Sequence, residues 1–563
     1  MSSSSDFDET VDVLIAGTGA AGCAAGASAA IAGAVKVLIC EASPKLVGGT
    51  TRLAGGGWLW CPNNPFLSSL GVYQQPDEIK QLLRDLAYPQ GGVDKGDDEL
   101  ISAFAEDWPA VLKSILDNGV MRLQPVTVRE PEDAERVRML LRRKQSEHPD
   151  LEKKVGISEK NFEQLSQLMP SYCAEHQMDM CPTGKVLSPD GSTTSLQLEK
   201  ACKKRNCEIR MDARVVDLIF DNQKNVIGAI VSSENGKLIK KIRSLGGVIF
   251  ASGGFSHNRE LLEENFGGTK FAPVGSCSSK TNVGDFVSIA TKYQIPLSGM
   301  DAAWLKQVIL PFKFPKRLGI FFMNGDSYMV VDRSGNRFAC DKDFYQQRGM
   351  QMLHNESRRC VFFIFDERSW ELFEGPIKSL GSAYPTLDDS EDCIIRGRDV
   401  KELTQGIKTM LTKVCSDFTL EENFQDSLEK QISRFNEMAK TGIDTEFGRG
   451  NDTAQFCWSV PRAKDNHYPN KTMYPINANR LCAVVLGLST LDTKGGPRIN
   501  KNGQILGANN KPIPGLYGSG NCVRSSTRHS YPASGVTLSN AIFFGWNAGK
   551  DAAQRSLNMK SKI

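Results

Sequence analysis

The stretch from residue 11 to residue 41, VDVLIAGTGAAGCAAGASAAIAGAVKVLICE, constrains the fold more than any other. VDVLIA is a nearly continuous apolar run, as a strand buried on both faces requires, and a segment rich in small residues follows at once. VKVLICE then reads as the next parallel strand, which completes a βαβ unit. Gly17, Gly19 and Gly22 stand in the spacing G-x-G-x-x-G at the turn between strand and helix. Glycines there permit the tight turn, the close approach of a pyrophosphate and the tight packing of helix on sheet. The helix N-terminus offers free N–H groups to phosphate, and Glu41 at the end of the second strand can accept from ribose hydroxyls. A dinucleotide is therefore expected at this end of the chain.

A chain of 563 residues exceeds one compact core, so two or more domains are expected, with room to bury a large cofactor. The 68 basic and 65 acidic residues leave a net charge of +3, which gives no support to a nucleic-acid partner. The 15 cysteines are scattered without a C-x-x-C pair, which favours reduced thiols and no metal site. The start, MSSSSDFDETVDVLIAG, lacks a basic and then apolar leader, and no uncharged run approaches a membrane span. A soluble, intracellular, cytoplasmic protein is expected. Ser561-Lys562-Ile563 stands one conservative step from a peroxisomal address, so import into peroxisomes is kept as a second expectation.

Three further glycine-rich segments decide which dinucleotide is expected. VGGTTRLAGGGWLWCPNN (residues 47 to 64) follows the acid directly and holds five glycines and two threonines, a bare backbone suited to a second stretch of ligand. GGVIFASGGFSHNREL (246 to 261) is again strand, small-residue turn and helix start, and KPIPGLYGSGN (511 to 521) is turn, strand and loop. Such a series fits an extended FAD better than a nicotinamide. In this order and at these spacings the segments resemble the FAD-dependent fumarate reductase and 3-ketosteroid dehydrogenase superfamily over nearly the whole chain. The resemblance implies an α/β fold: a discontinuous Rossmann-like FAD-binding domain with an inserted α+β substrate domain.

It assigns to the cofactor Gly17, Gly19, Ala20, Ala21, Gly22, Glu41 and Ala42 from the βαβ unit, and Gly48, Gly49, Thr50, Thr51, Gly55, Gly56 and Gly57 from the second segment. Val216, Ala251, Ser252, Gly253, Gly520, Asn521, Gly535, Val536 and Leu538 complete the set. Relatives that bind flavin covalently carry a histidine near the second segment; residues 41 to 60 contain none, which implies noncovalent FAD. With flavin motifs at both ends, the FAD domain is expected at 1 to 303 and 487 to 563, with the insertion at 304 to 486. Residues 129 to 165, dense in mixed charge, are expected as an exposed helical excursion.

The chemistry implied is dehydrogenation of a 3-ketosteroid, or a 3-keto-triterpenoid of similar shape, at C1–C2. That reaction needs a base for the C2 proton, a polariser for the C3 carbonyl and a hydride acceptor for C1, which is flavin N5. HSYPASGVTL (529 to 538) resembles the motif H-[ST]-Y-x-x-x-G-x-T-[IL] of the Δ1-dehydrogenases, which implies that Tyr531 Oη and the Gly535 N–H both donate to the carbonyl. GNRFACDKDFYQQ (335 to 347) resembles the segment leading to the catalytic position. That position is tyrosine in ketosteroid dehydrogenases and arginine in soluble fumarate reductases, so Tyr345 is expected as the base. Cys340-Asp341 stands where Asn-Glu is usual, and Phe344 where Pro is usual. A phenol has a pKa of about 10 and needs help to act as a base. The family uses a second tyrosine, and MPSYCAEH (169 to 176) offers Tyr172. The alternatives are a fumarate reductase-like dicarboxylate oxidoreductase, a 3-ketosteroid 4-dehydrogenase and a flavin-binding protein without turnover. Without a second nicotinamide-type fingerprint, direct use of NADH is not expected, and the electron acceptor stays open.

Overall fold

The two apolar runs near the start form neighbouring parallel strands, Val13–Ala16 and Val37–Cys40, with Leu14 opposite Leu38 and every residue buried. The structure, a computed structural model, describes residues 7–128, 131–147, 158–168, 180–182, 191–233, 236–311, 325–369, 393–457 and 464–561. A six-stranded sheet grows around this pair in the order Gln504–Leu506, Pro512–Gly518, Val248–Phe250, Val13–Ala16, Val37–Cys40, Glu208–Arg210. Only the edge strand Gln504–Leu506 runs antiparallel. The strand Pro512–Gly518 pairs with Val248–Phe250, so both ends of the chain build one sheet.

The helix Ala20–Ile31 follows the first strand and is covered by the last helix, Val536–Lys560. Small residues let the two backbones meet. A Cβ at Gly545 would stand 2.4 Å from the Ala21 carbonyl oxygen, and one at Gly549 would stand 2.1 Å from that of Ala25. Ser28 Oγ donates to the Trp546 carbonyl at 2.7 Å across the same contact.

A second sheet is the antiparallel run Arg214–Phe220, Val226–Ser233, Leu238–Ser244, extended by Glu9–Val11 in parallel with the last of these. The third sheet is antiparallel: Ala303–Ile309 pairs with Leu481–Thr493, which pairs with Cys360–Asp366 and with Ile395–Gly397, and Tyr328–Val331 lies outside. Along Leu481–Thr493 alternate side chains serve two cores. Leu481, Ala483 and Val485 face a core shared with the helices Val400–Val414 and Phe424–Thr441. Cys482, Val484 and Leu486 face Phe255, Leu262 and Val287 of the nucleotide half. Both faces are covered, which explains the unbroken apolar run LCAVVLGL.

The expected seams fall on this sheet. Residue 304 lies one position inside Ala303–Ile309, and 486/487 lies in the middle of Leu481–Thr493, whose pairing with Ala303–Ile309 continues to Thr493. The charged stretch 129 to 165 is helical over Pro131–Glu147 and Glu159–Ser166. It is more than a solvated excursion, because Val137 and Leu165 are buried in a small core with Leu67, Val126 and Cys457, and the Arg136 guanidinium lies 4.3 Å above the Phe456 ring. Apolar positions spaced among the charges give the helices an inward face. Among the described residues no helix is long and apolar enough to cross a membrane.

Candidate active site

A cavity of about 580 Å³ opens at the C-terminal ends of the parallel strands and runs to the third sheet, the position where open α/β sheets place their ligands. Gly17 begins its wall at φ +108°, a left-handed conformation, and a Cβ there would stand 2.4 Å from the Ala251 carbonyl oxygen. Glu41 is buried. Its Oε2 accepts from the Thr18 N–H at 3.1 Å and from the Thr18 hydroxyl, and its Oε1 accepts from the Ser43 N–H at 2.8 Å. The Thr18 Oγ1 in turn accepts from the Gly48 N–H at 2.9 Å, which ties the second glycine-rich segment to the first.

Gly17, Gly19, Ala20, Ala21, Glu41, Ala42, Gly49, Thr50, Thr51, Gly55, Gly56 and Gly57 line this cavity, as do Ala251, Ser252, Gly253, Gly520, Asn521, Gly535 and Leu538. Gly22, Gly48 and Val536 are outside the lining. Gly22 packs on Gly17, whose carbonyl oxygen would stand 1.9 Å from a Cβ at Gly22. Val216 departs from its assignment to the cofactor. It is 40% exposed at an irregularity in the pairing of Arg214–Phe220 with its neighbour, and the preceding Val215 lines the cavity instead. Alternate residues of a strand face opposite sides, so a register error of one residue reverses the side.

The chain's separate segments meet at Asp492, a residue that no motif marks. Its buried carboxylate accepts from the Gly254 N–H at 3.1 Å, Ser256 Oγ at 2.8 Å, Asn282 Nδ2 at 2.7 Å, the Thr493 N–H at 3.0 Å and Asn521 Nδ2 at 2.9 Å. Burial pushes this carboxyl above the usual range despite the five donors. Asn282 Nδ2 also donates to Thr50 Oγ1 at 2.9 Å. One acid thus joins the second, third and fourth glycine-rich segments.

Tyr345 is the first residue of the helix Tyr345–Met352 and is 6% exposed. The turn before it is fixed by Arg337, which contacts Asp341 and Asp444 at 2.7 Å each, and by Arg348, whose Nη1 donates to the Asp341 carbonyl at 2.8 Å. Asp341, where glutamate is usual, also accepts from the Val330 N–H at 2.7 Å. Gln346, next to Tyr345, donates to the His529 carbonyl at 2.6 Å and the Ala303 carbonyl at 3.2 Å, and so draws the Tyr531 loop toward this helix.

The rings of Tyr345 and Tyr531 lie 5.7 Å apart at 74°, with Phe344 3.8 Å from one and 4.8 Å from the other. Trp304 meets Tyr531 edge-on at 4.9 Å and donates through Nε1 to Asn521 Oδ1 at 2.9 Å. Gly535, at φ +79°, caps the last helix, and a Cβ there would stand 2.4 Å from the Trp58 carbonyl oxygen. Its N–H donates to no acceptor among the described residues. Tyr345, Tyr531 and Gly535 therefore share one cavity wall. Tyr172, Lys562 and Ile563 lie outside the described residues. Trp304, Asn282 and Asp492 were not expected as wall residues; long-range pairing brings them there.

Arg214 is the only basic side chain among the described lining residues, and its Nη1 is held by both Asp285 oxygens at 2.7 and 2.6 Å. Arg528 and His529 do not line the cavity: the Arg528 guanidinium lies 4.7 Å above the Tyr88 ring and His529 Nε2 stands 3.5 Å from Asp301. The wall thus offers no free cation for a dicarboxylate among the described residues. It suits a flavin dinucleotide: Gly17 and Gly19 admit close approach to the backbone, Gly535 leaves an amide free, and Ser534 Oγ and Thr537 Oγ1 are buried without a partner.

A family model described as FAD binding domain matches residues 12–538. The chain belongs to this family. It is similar to 3-oxosteroid 1-dehydrogenase of Mycolicibacterium smegmatis, 25% identical over an alignment that covers 96% of this chain and 97% of that protein. It is also similar to 4-oxocyclohexanecarboxylate 2-dehydrogenase of Sinomonas cyclohexanicum, at 24% identity over 97% of this chain and 93% of the relative. Among solved structures, 3-ketosteroid delta1-dehydrogenase from Sterolibacterium denitrificans, in complex with 1,4-androstadiene-3,17-dione, shares the fold. The TM-score is 0.73 at 21% identity, covering 97% of this chain and 100% of that one. As an FAD binding domain family member the chain is a flavoprotein oxidoreductase with FAD as its cofactor. Gly17, Gly19, Glu41, Thr50, Gly253 and Gly520 all line the same cavity.

Proposed function

We propose that this flavoprotein dehydrogenates a cyclic ketone beside its carbonyl, and that the substrate is a 3-ketosteroid or a 3-keto-triterpenoid of similar shape, opened to a double bond at C1–C2. The observation that carries the reading is the convergence of two phenols and one unpaired amide, Tyr345, Tyr531 and Gly535, on a single wall of the cavity. A proton beside a ketone is weakly acidic, so its removal needs donors that strengthen as the carbonyl oxygen gains charge. Tyr531 Oη and the Gly535 N–H are assigned to that oxygen. The amide also stands at the N-terminus of a 25-residue helix, whose dipole favours negative charge. Tyr345 is assigned to the C2 proton, and Tyr172 to assisting it. Apolar rings of Trp304 and Phe344 flank the phenols and exclude water from the enolate. When bound, FAD supplies the acceptor for the C1 hydride.

The relatives named above act, by their names, on ring ketones, and the paired state of Arg214 argues against a dicarboxylate. The domain division proposed with it is an insertion at about 304 to 486, with FAD held by the chain on either side, 1 to 303 and 487 to 563. An anaerobic spectrum of the purified holoprotein tests the reading. Androst-4-ene-3,17-dione should bleach the flavin and yield the 1,4-dienone, and a 5α-saturated 3-ketosteroid should give the 1-ene. A 4-ene product would move the chemistry to the other side of the carbonyl. Flavin that stays oxidised with every 3-ketosteroid, but is reoxidised by fumarate after chemical reduction, would overturn the proposal.

A further inference from the structure

Lys494 directly follows the strand Leu481–Thr493, and only 1% of its surface is exposed. Its Nζ donates to the Ser530 carbonyl oxygen at 2.8 Å and to Thr527 Oγ1 at 3.3 Å, and it lies 3.6 Å from the centre of the Trp304 ring. Carbonyl, hydroxyl and indole face are all electron-rich, so the three partners suit an ammonium with three N–H donors. No carboxylate among the described residues pairs with it. Burial pushes its pKa down, as desolvation does for any cation, while the Ser530 carbonyl, the Thr527 hydroxyl and the Trp304 face act against that shift by favouring the ammonium. A buried cation without a counter-ion is costly to a fold, and such groups cluster at functional sites.

Two of the groups that Lys494 holds lead directly to the ketone donor. Ser530 immediately precedes Tyr531, and Trp304 meets the Tyr531 ring edge-on at 4.9 Å. Gln346 holds the same loop from the other side through the His529 carbonyl. We infer that Lys494 is a positioning residue that fixes Tyr531 toward the ketone oxygen and sets a positive potential behind it, favouring the enolate that forms as the C2 proton leaves. The inference rests on the reading of Tyr531 as the carbonyl donor. A positive potential held fixed where negative charge develops lowers the barrier more than it strengthens ground-state binding. The charge, beyond the mere presence of a donor, is therefore what matters.

The test compares Lys494→Gln, which keeps an N–H donor for Ser530 but removes the charge, with Lys494→Met, which removes both, each as holoenzyme. Both variants should carry FAD at wild-type stoichiometry and show a KM for a 3-ketosteroid within about threefold of wild type, while kcat falls about tenfold or more. Affinity for a steroid with a phenolic A ring, whose phenolate mimics the enolate, should fall in parallel with kcat, while affinity for the neutral ketone should not. Wild-type kcat in Lys494→Gln would overturn the inference. So would a parallel loss of flavin, ketone affinity and rate in both variants, which marks a purely structural residue. A wild-type enzyme inert toward 3-ketosteroids would remove the reading of Tyr531 and this inference together; wild-type turnover with unaffected variants would remove the inference alone.

Discussion

Two phenols on one wall are chemically redundant unless their surroundings differ. Tyr345 opens a helix held by the buried Arg337, Asp341 and Asp444 cluster, whereas Tyr531 sits on a loop pinned by Lys494 and Gln346. The consequences of losing each hydroxyl should differ accordingly. On the proposed roles, Tyr531→Phe removes one of two donors to the ketone and leaves the Gly535 N–H, so binding and rate should both fall, the rate by about 10²-fold. If Tyr345 is the base, Tyr345→Phe removes it and keeps the ring, so a 3-ketosteroid should bind with nearly wild-type affinity yet fail to bleach the flavin in stopped-flow spectra. Bleaching at the wild-type rate in Tyr345→Phe would take the base role away from this residue. If a tyrosinate is the base, turnover with an artificial acceptor should rise between roughly pH 7 and 9, since the ordinary phenol pKa is about 10. A flat profile would point to another group.

At the scale of elements, the site depends on contacts that tie distant segments together. Asp492 accepts from donors on the Gly253, Asn282 and Asn521 loops, so Asp492→Asn turns an acceptor into a group with its own donors and leaves partners unsatisfied. Each orphaned donor costs about 1–3 kcal/mol, and FAD affinity by fluorescence titration should fall at least about tenfold. The ion cluster under Tyr345 gives a prediction with a defined sign. Burial raises the Asp444 pKa, but the hydrogen bond and charge of Arg337 outweigh it, and the net shift is downward. A carboxyl with a lowered folded pKa stabilises the fold above its unfolded pKa of about 4, and that contribution is lost as pH falls through the folded value. Asp444→Asn should therefore cost about 3–5 kcal/mol at pH 7, read from urea midpoints, and the gap to wild type should close as the pH drops below about 4. A gap independent of pH would mean that the cost comes from packing.

At the scale of the whole molecule, what was legible in the sequence was what is local. The βαβ unit carries its own signature, because Gly22 packs on Gly17 and Glu41 pairs with Thr18 and Ser43, all within about thirty residues of chain. Tyr531 and Gly535 were singled out through the resemblance of HSYPASGVTL to a family motif, and the structure places both on the cavity wall. Asp492, Trp304 and Lys494 were not, because their roles exist only once Leu481–Thr493 pairs with Ala303–Ile309 and brings the loops of both chain ends together. The expected boundary at 486/487 falls inside the same long strand, whose unbroken apolar run does not reveal that its alternate side chains serve two cores. Val216 failed at the finest grain, a single residue of strand register. This dependence on closure makes the cofactor part of the fold. FAD would contact the first glycine turn, the third-sheet wall and the start of the last helix, so binding should hold both ends of the chain against each other. With FAD at about a hundred times its Kd, the linkage is worth about 2.7 kcal/mol, and the holoprotein should melt several degrees above the apoprotein, with the difference growing with added FAD. Gly17→Val, whose Cβ would press on the Ala251 carbonyl, should purify colourless and show no such response. Denaturation of the wild type in acid should leave the yellow colour in the supernatant, because residues 41 to 60 hold no histidine for a covalent bond. Flavin that sediments with the denatured chain would show an attachment elsewhere.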